Sequence, residues 1–141
     1  MSGIVLDAEG LSAITFGTPS EQMLAIMADG WRMGRSLVVP ALVCAEICRD
    51  RSRARAVEAM LSRHHRSGTT PIELRATTFD LARRVGALLG RAARGSESIV
   101  DAHVVTVAAD LGGAIVFTSD PEDIADLAAH VPGSRIVVRR P

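Results

Sequence analysis

Ala114-Ile115-Val116-Phe117-Thr118-Ser119-Asp120-Pro121 begins apolar, turns polar at Thr118 and ends in an acid and a proline. Such a run predicts a short buried strand, Ala114 to Thr118, that passes into a helix at Pro121, because proline suits the first helical turn. Near the start of the chain the pattern recurs in shorter form: Ile4-Val5-Leu6 is bounded by Gly3 and closes at Asp7. Leu37-Val38-Val39 and Arg135 to Val138 predict two further strands. Thr70 to Leu74 predicts another, placed at an edge because Pro71 removes a ladder donor.

Helical patterns fill the spaces between these runs. Ala8 to Ile14 is short, and Ser20 caps a second helix with Met23, Leu24, Met27 and Trp31 on one face, broken at Gly34. Pro40 opens a helix that carries Glu46, and Asp50 to His65 is a charged helix with Ala54, Val57, Met60 and Leu61 as its apolar stripe. Thr78 starts a long amphipathic helix through Leu81, Val85, Leu88, Leu89 and Ala92, ending near Gly95. From Ser98 another turns Val100, Val104, Val107, Ala108 and Leu111 inward and stops at Gly112-Gly113; the last runs from Pro121 to Ala129. Alternating strands and helices predict an α/β fold, a parallel sheet flanked by helices. With 141 residues and no linker, repeat or low-complexity segment, residues 1–141 form one domain.

Composition narrows the chemistry. The 16 basic residues balance the 16 acidic ones, and every basic residue is Arg. Without Lys, a GxxxxGK[ST] phosphate loop and Schiff-base catalysis are both excluded. Neutral net charge gives no global pull on nucleic acid, so polyanion binding has to come from local arginine clusters. Aromatic residues are only 3% of the chain, which argues against a base-stacking sheet such as an RRM. Cys44 and Cys48 read as two small buried hydrophobes on one helical face, since no His stands at a supporting distance for zinc. The chain has no secretory leader and no apolar run of membrane-spanning length, so a cytoplasmic protein with no membrane partner is expected.

Four acids stand where an α/β sheet places catalytic groups. Asp7 and Asp120 follow strands at the carboxyl edge, Glu46 interrupts an apolar stretch, and Asp101 opens the helix leading into the Ala114 strand. Four converging carboxylates do not all stay ionised unless a cation joins them, which points to a divalent-metal site. Each acid also has a plainer reading. Asp120 and Asp7 suit helix N-caps, and Asp101 lies three residues after Ser98 in the manner of a capping box. Glu46 has no cap role; inside a helix with apolar or small neighbours it reads as a partly buried carboxylate, paired at best with Arg49.

The motifs Val5-Leu6-Asp7-Ala8, Glu46 after the second strand, Ile99-Val100-Asp101-Ala102 and Thr118-Ser119-Asp120-Pro121-Glu122-Asp123 resemble, in order and spacing, the four motifs of PIN domains. The chain is similar in length to the VapC-type toxin branch, and the resemblance covers nearly all of it. It implies a five-stranded parallel sheet in the order 3-2-1-4-5 with helices on both faces. It implies a metal-dependent endoribonuclease using Mg²⁺ or Mn²⁺, with 3′-hydroxyl and 5′-phosphate products. Carried over by position, Asp7, Glu46, Asp101 and Asp120 are the catalytic and metal-binding acids, Asp123 an accessory metal residue, and Thr118 the hydroxyl that orients the last acid. A VapB-type antitoxin and a toxin homodimer are the implied protein partners. One departure is Ala8-Glu9-Gly10, where relatives carry Ser or Thr soon after the first Asp; Glu9 adds charge beside the site.

The reaction so implied is in-line hydrolysis of an RNA phosphodiester. Arg49, Arg51, Arg53 and Arg55 read either as a rim that draws RNA to the acidic site or as a solvated face offset by Asp50 and Glu58. His64 and His65 read as surface residues, and His103 and His130 have no assigned role. Two other classes compete. A receiver-like phosphoacceptor also gathers acids at strand ends, but it needs a Lys that this chain lacks. The other is a PIN-like module with weak or lost nuclease activity that serves only to bind a partner.

Overall fold

The computed structural model describes residues 3–66 and 71–141. Thr70, the expected first residue of the edge strand, and the side chains of His64 and His65 lie outside the described residues. In chain order the elements are β1 (Gly3–Leu6), α1 (Ala8–Thr15), α2 (Glu21–Arg32), β2 (Ser36–Pro40), α3 (Ala41–Ile47), α4 (Arg51–Arg66) and β3 (Ile72–Arg75). There follow α5 (Phe79–Ala92), a single 3₁₀ turn (Ser96–Ser98), α6 (Ile99–Asp110), β4 (Ala114–Phe117), α7 (Pro121–Ala128) and β5 (Ile136–Arg139).

The strands form one five-stranded sheet in the order β3-β2-β1-β4-β5, parallel throughout. Its centre is β1 beside β4, in a register that sets Leu6 against Phe117, and every residue of both strands is buried. Strands covered on both faces need unbroken apolar sequence, which is why these two read as runs rather than alternations. From β1 the chain moves outward through β2 to β3, then returns to β4 and moves outward the other way to β5. Because such crossovers are right-handed, this reversal puts the helices on both faces and opens a crevice at the carboxyl ends of β1 and β4.

Two helices depart from the expected burial. A one-sided apolar stripe predicts a surface-lying α6, yet residues 102–108 are all buried, because α6 lies on the sheet and is walled in by α5 and α7. In α2, Met23 enters the core while Leu24 and Trp31 stay about half exposed, at 52% and 53%. The four residues expected on one apolar face, Met23, Leu24, Met27 and Trp31, therefore span a wider arc than the core covers. Both cysteines are free, half-buried and packed against the core, as small hydrophobes are expected to be. Among the described residues, no helix is long and apolar enough to cross a membrane.

Glycines fix two of the junctions. A Cβ on Gly10 stands 3.0 Å from the Phe117 carbonyl oxygen, so α1 packs closely on the end of β4. Gly113 turns the chain into β4 at φ +114°, with a Cβ there only 2.5 Å from the Arg135 carbonyl oxygen. Gly113→Ala is expected to cost at least about 1–3 kcal/mol and to lower the Tm by several degrees in thermal unfolding. Gly86→Ala, on the open face of α5 where a Cβ meets nothing within 4 Å, should instead stabilise by about 0.5–1 kcal/mol.

Candidate active site

The reversal of the sheet brings the predicted acids together. One cavity of about 250 Å³ at the carboxyl edge is lined by Asp7, Glu46, Asp101, Asp120 and Asp123, and by Glu9 and Glu97 as well. Asp7 leaves β1, Asp120 lies three residues beyond β4, Glu46 comes from α3 and Asp101 from the first turn of α6. Glu97 was not anticipated. It sits in the 3₁₀ turn before α6, one helical turn before Asp101, and Ser96-Glu97-Ser98 carried only a capping signal. The Glu97 carboxylate accepts a hydrogen bond from the Gly95 N–H at 3.1 Å.

One plainer reading of the acids holds, the Asp7 cap, and three are corrected, those for Asp120, Asp101 and Glu46. Asp7 is the acid that caps a helix: its Oδ1 accepts the N–H groups of Glu9 at 2.9 Å and Gly10 at 3.0 Å. Asp120 occupies the N-cap position of α7 but makes no side-chain cap bond, and Ser98 makes none for α6. Asp120 is held another way, by its own N–H donating to the Thr118 hydroxyl at 3.0 Å. Glu46 is exposed rather than partly buried, since α3 turns that residue to the rim while Val43 and Ile47 go inward. Arg49 does not pair with the Glu46 carboxylate.

Arg49 and Arg53 instead clasp the end of α3. Arg49 Nε donates to the Glu46 carbonyl at 3.0 Å, and Arg53 Nε donates to the Ile47 carbonyl at 3.1 Å. Cations at these carbonyls offset the negative end of the helix and brace its last turn, which carries Glu46, although the Ile47 carbonyl also accepts the Arg49 N–H at 2.8 Å. On the far side Arg94 reaches Asp123 at 3.5 Å and Asp126 at 3.3 Å, tying the turn after α5 to α7. Ala93 adopts a left-handed conformation there, φ 53°. Arg140 donates to the Ser119 carbonyl at 3.1 Å and lines an adjoining cavity with Asp120 and Asp123. Sequence reasoning missed Arg94 and Arg140, because both meet the acids through partners distant along the chain.

Electrostatics records the crowding. Burial pushes the Asp101 carboxyl from its ordinary 3.8 to about 6, and the negative charges of Asp123, Asp7, Glu46 and Asp120 push in the same direction. Asp7 is also raised, first by burial, against the opposing pull of the Thr118 hydroxyl and the N–H groups of Gly10 and Glu9. Glu9 adds a small upward push of its own. Two residues beyond Asp101, His103 is buried in α6 with Nδ1 donating to the Ile99 carbonyl at 2.7 Å. Its Nε2 has no hydrogen-bond partner among the described residues.

Hard carboxylate oxygens suit Mg²⁺ or Mn²⁺. Among the described residues, however, no three His, Cys, Asp or Glu side chains are gathered closely enough to hold an ion directly. Mg²⁺ usually keeps several waters and binds through one or two carboxylates, and the donors lining this cavity fit that mode. Compared with known proteins, the chain matches no family model, and no curated protein matches it.

In the folded protein Asp101 binds its proton more tightly than in the unfolded chain. Between 3.8 and about 6 the folded state therefore holds more protons, and stability falls as pH rises through that window. In metal-free protein, Asp101→Asn should raise the Tm at pH 7 by about 2–4 °C, the shift expected for about 1 kcal/mol after solvent screening. The gain should vanish near pH 4, as thermal scans across pH will show. Asp7→Ala should cost about 0.5–2 kcal/mol in denaturant unfolding through loss of the α1 cap, whereas Asp7→Asn keeps the cap acceptor and most of the stability.

Proposed function

We propose that this chain is a metal-dependent endoribonuclease of the PIN type, the toxin of a VapBC-like pair, and that the acid-lined crevice is its active site. The observation that carries the reading is the convergence of Asp7, Glu46, Asp101 and Asp120 from four separate elements on one cavity, with Asp101 raised to about 6. Capping explains only Asp7, so the other three have no local structural reason to face one another.

Asp7, Asp101 and Asp120, with Asp123 as an accessory, are the residues to hold Mg²⁺ or Mn²⁺. When bound, such an ion activates water and neutralises charge on the phosphate. The chain's own groups do the positioning. Backbone N–H groups fix one Asp7 oxygen, and the Thr118 hydroxyl favours the charged carboxylate. Thr118 sets the direction of Asp120 by accepting its N–H. Glu46, exposed on the rim and steadied by Arg49 and Arg53 on its helix end, orients the attacking water and takes up its proton. The acids alone repel RNA, so the rim arginines and the cation together have to reverse the local field.

A second reading keeps the fold and drops the chemistry: a partner-binding module with weak or lost nuclease activity. Two observations favour it. The acids are not gathered into a three-ligand cage among the described residues, and α2 with its C-cap Met33 presents Leu24, Trp31 and Met33 to solvent. The same apolar face suits an antitoxin or a second copy of the chain. Cleavage separates the readings. Wild-type protein with Mn²⁺ should cut unstructured RNA endonucleolytically and stop on chelation. Asp101→Asn and Asp120→Asn should each slow cleavage by on the order of 100-fold or more, at least the loss seen when a metal ligand's supporting partner is removed. Glu58→Gln on the exposed face of α4 should have no effect. Equal, metal-independent rates in wild type and Asp101→Asn exclude the nuclease reading.

A further inference from the structure

Beside the acid-lined crevice lies a larger cavity of about 720 Å³, lined by Ser12, Phe16, Thr18, Arg53, Ser119 and Pro141, among others. Its volume falls within the range of small-molecule sites, roughly 300–1,000 Å³. Glu9 and Ser119 line both cavities, so the two adjoin. Phe16 is the C-cap of α1 and remains 45% exposed. The Arg53 guanidinium carbon stands 4.9 Å from the centre of its ring, a cation–π stack. Arg53 is fixed in that stack by its Nε bond to the Ile47 carbonyl. The rest of its guanidinium makes no hydrogen bond or ion pair among the described residues.

We propose that this cavity holds a nucleobase of the RNA strand whose phosphate enters the acid-lined crevice, the base stacking on Phe16 and Arg53. The inference deepens the nuclease reading and rests on it. A flat aromatic ring and a planar guanidinium close beside it are surfaces on which unpaired bases stack. The Ser12, Thr18 and Ser119 hydroxyls supply donors and acceptors for base edges. The free guanidinium N–H groups suit the flanking phosphate, which a wholly acidic crevice does not attract. A purely apolar ligand leaves these polar groups unused, and a lone phosphate leaves Phe16 unused.

The test reads binding without chemistry. In chelator, and in an Asp101→Asn/Asp120→Asn background that removes both charge and cleavage, affinity for a short unstructured RNA is measured by fluorescence anisotropy. It is compared with RNAs of the same length carrying one abasic position in turn. Phe16→Leu, which keeps an apolar plug but loses the ring, should weaken the intact RNA about tenfold, and Phe16→Trp should restore it. One abasic RNA should bind the parent about tenfold more weakly yet bind Phe16→Leu no worse than the intact strand does. Absence of RNA binding by the parent, or a loss in Phe16→Leu that is the same for intact and every abasic RNA, overturns the proposal. Coupling between Phe16 and a base without any Mn²⁺-dependent cleavage by wild-type protein overturns the nuclease reading alone and leaves the cavity as a nucleic-acid site.

Discussion

The gathering and partial burial of like charges at the carboxyl edge of the sheet is the constraint on which this site depends. Seven acids line one small cavity. The chain relieves the strain piecemeal. Backbone N–H groups of α1 take one Asp7 oxygen, Arg94 draws on Asp123 from outside, and Asp101 raises its own proton affinity. None of these devices removes the repulsion. A cation bound there would lower the repulsion, and binding to the folded state alone would shift folding toward that state.

The fold was legible because its signals are local. Ile4-Val5-Leu6 and Ala114 to Phe117 are buried on both faces, and such strands appear in sequence as unbroken apolar runs ended by polar residues. The five-stranded parallel order agrees with what the PIN resemblance implies for the fold. Less legible was α6, whose apolar residues suggested one buried stripe. Ala102, His103 and Thr106 are small or polar enough to look like an outer face, yet helix-on-helix packing covers them too. For α2 the error ran the other way, since Leu24 and Trp31 look like core residues and remain open.

Site residues were legible in position and less so in their surroundings. Asp7, Glu46, Asp101, Asp120 and Asp123 do reach one cavity. What surrounds each of them depends on elements far apart along the chain, which spacing does not encode. Glu46 looked enclosed because its sequence neighbours are apolar, but those neighbours point elsewhere on the helix. Arg49 stood at pairing distance along the helix and chose the carbonyl of Glu46 rather than its carboxylate. Glu97 and Arg94 joined the site through a turn whose path only the packing of α5 against α6 decides.

Helix α1 joins two of these features in one rigid piece. Asp7 begins it as N-cap and Phe16 ends it as C-cap, with eight helical residues between them. A helix of that length spans about 12 Å and does not stretch. It acts as a ruler, holding the ring at a set distance from the carboxylates whatever occupies either cavity. A strand that touches both ends has to offer a bare base at that one spacing. A double helix keeps its bases turned inward and has none to offer, so on the proposed reading the ruler by itself would discriminate against paired RNA.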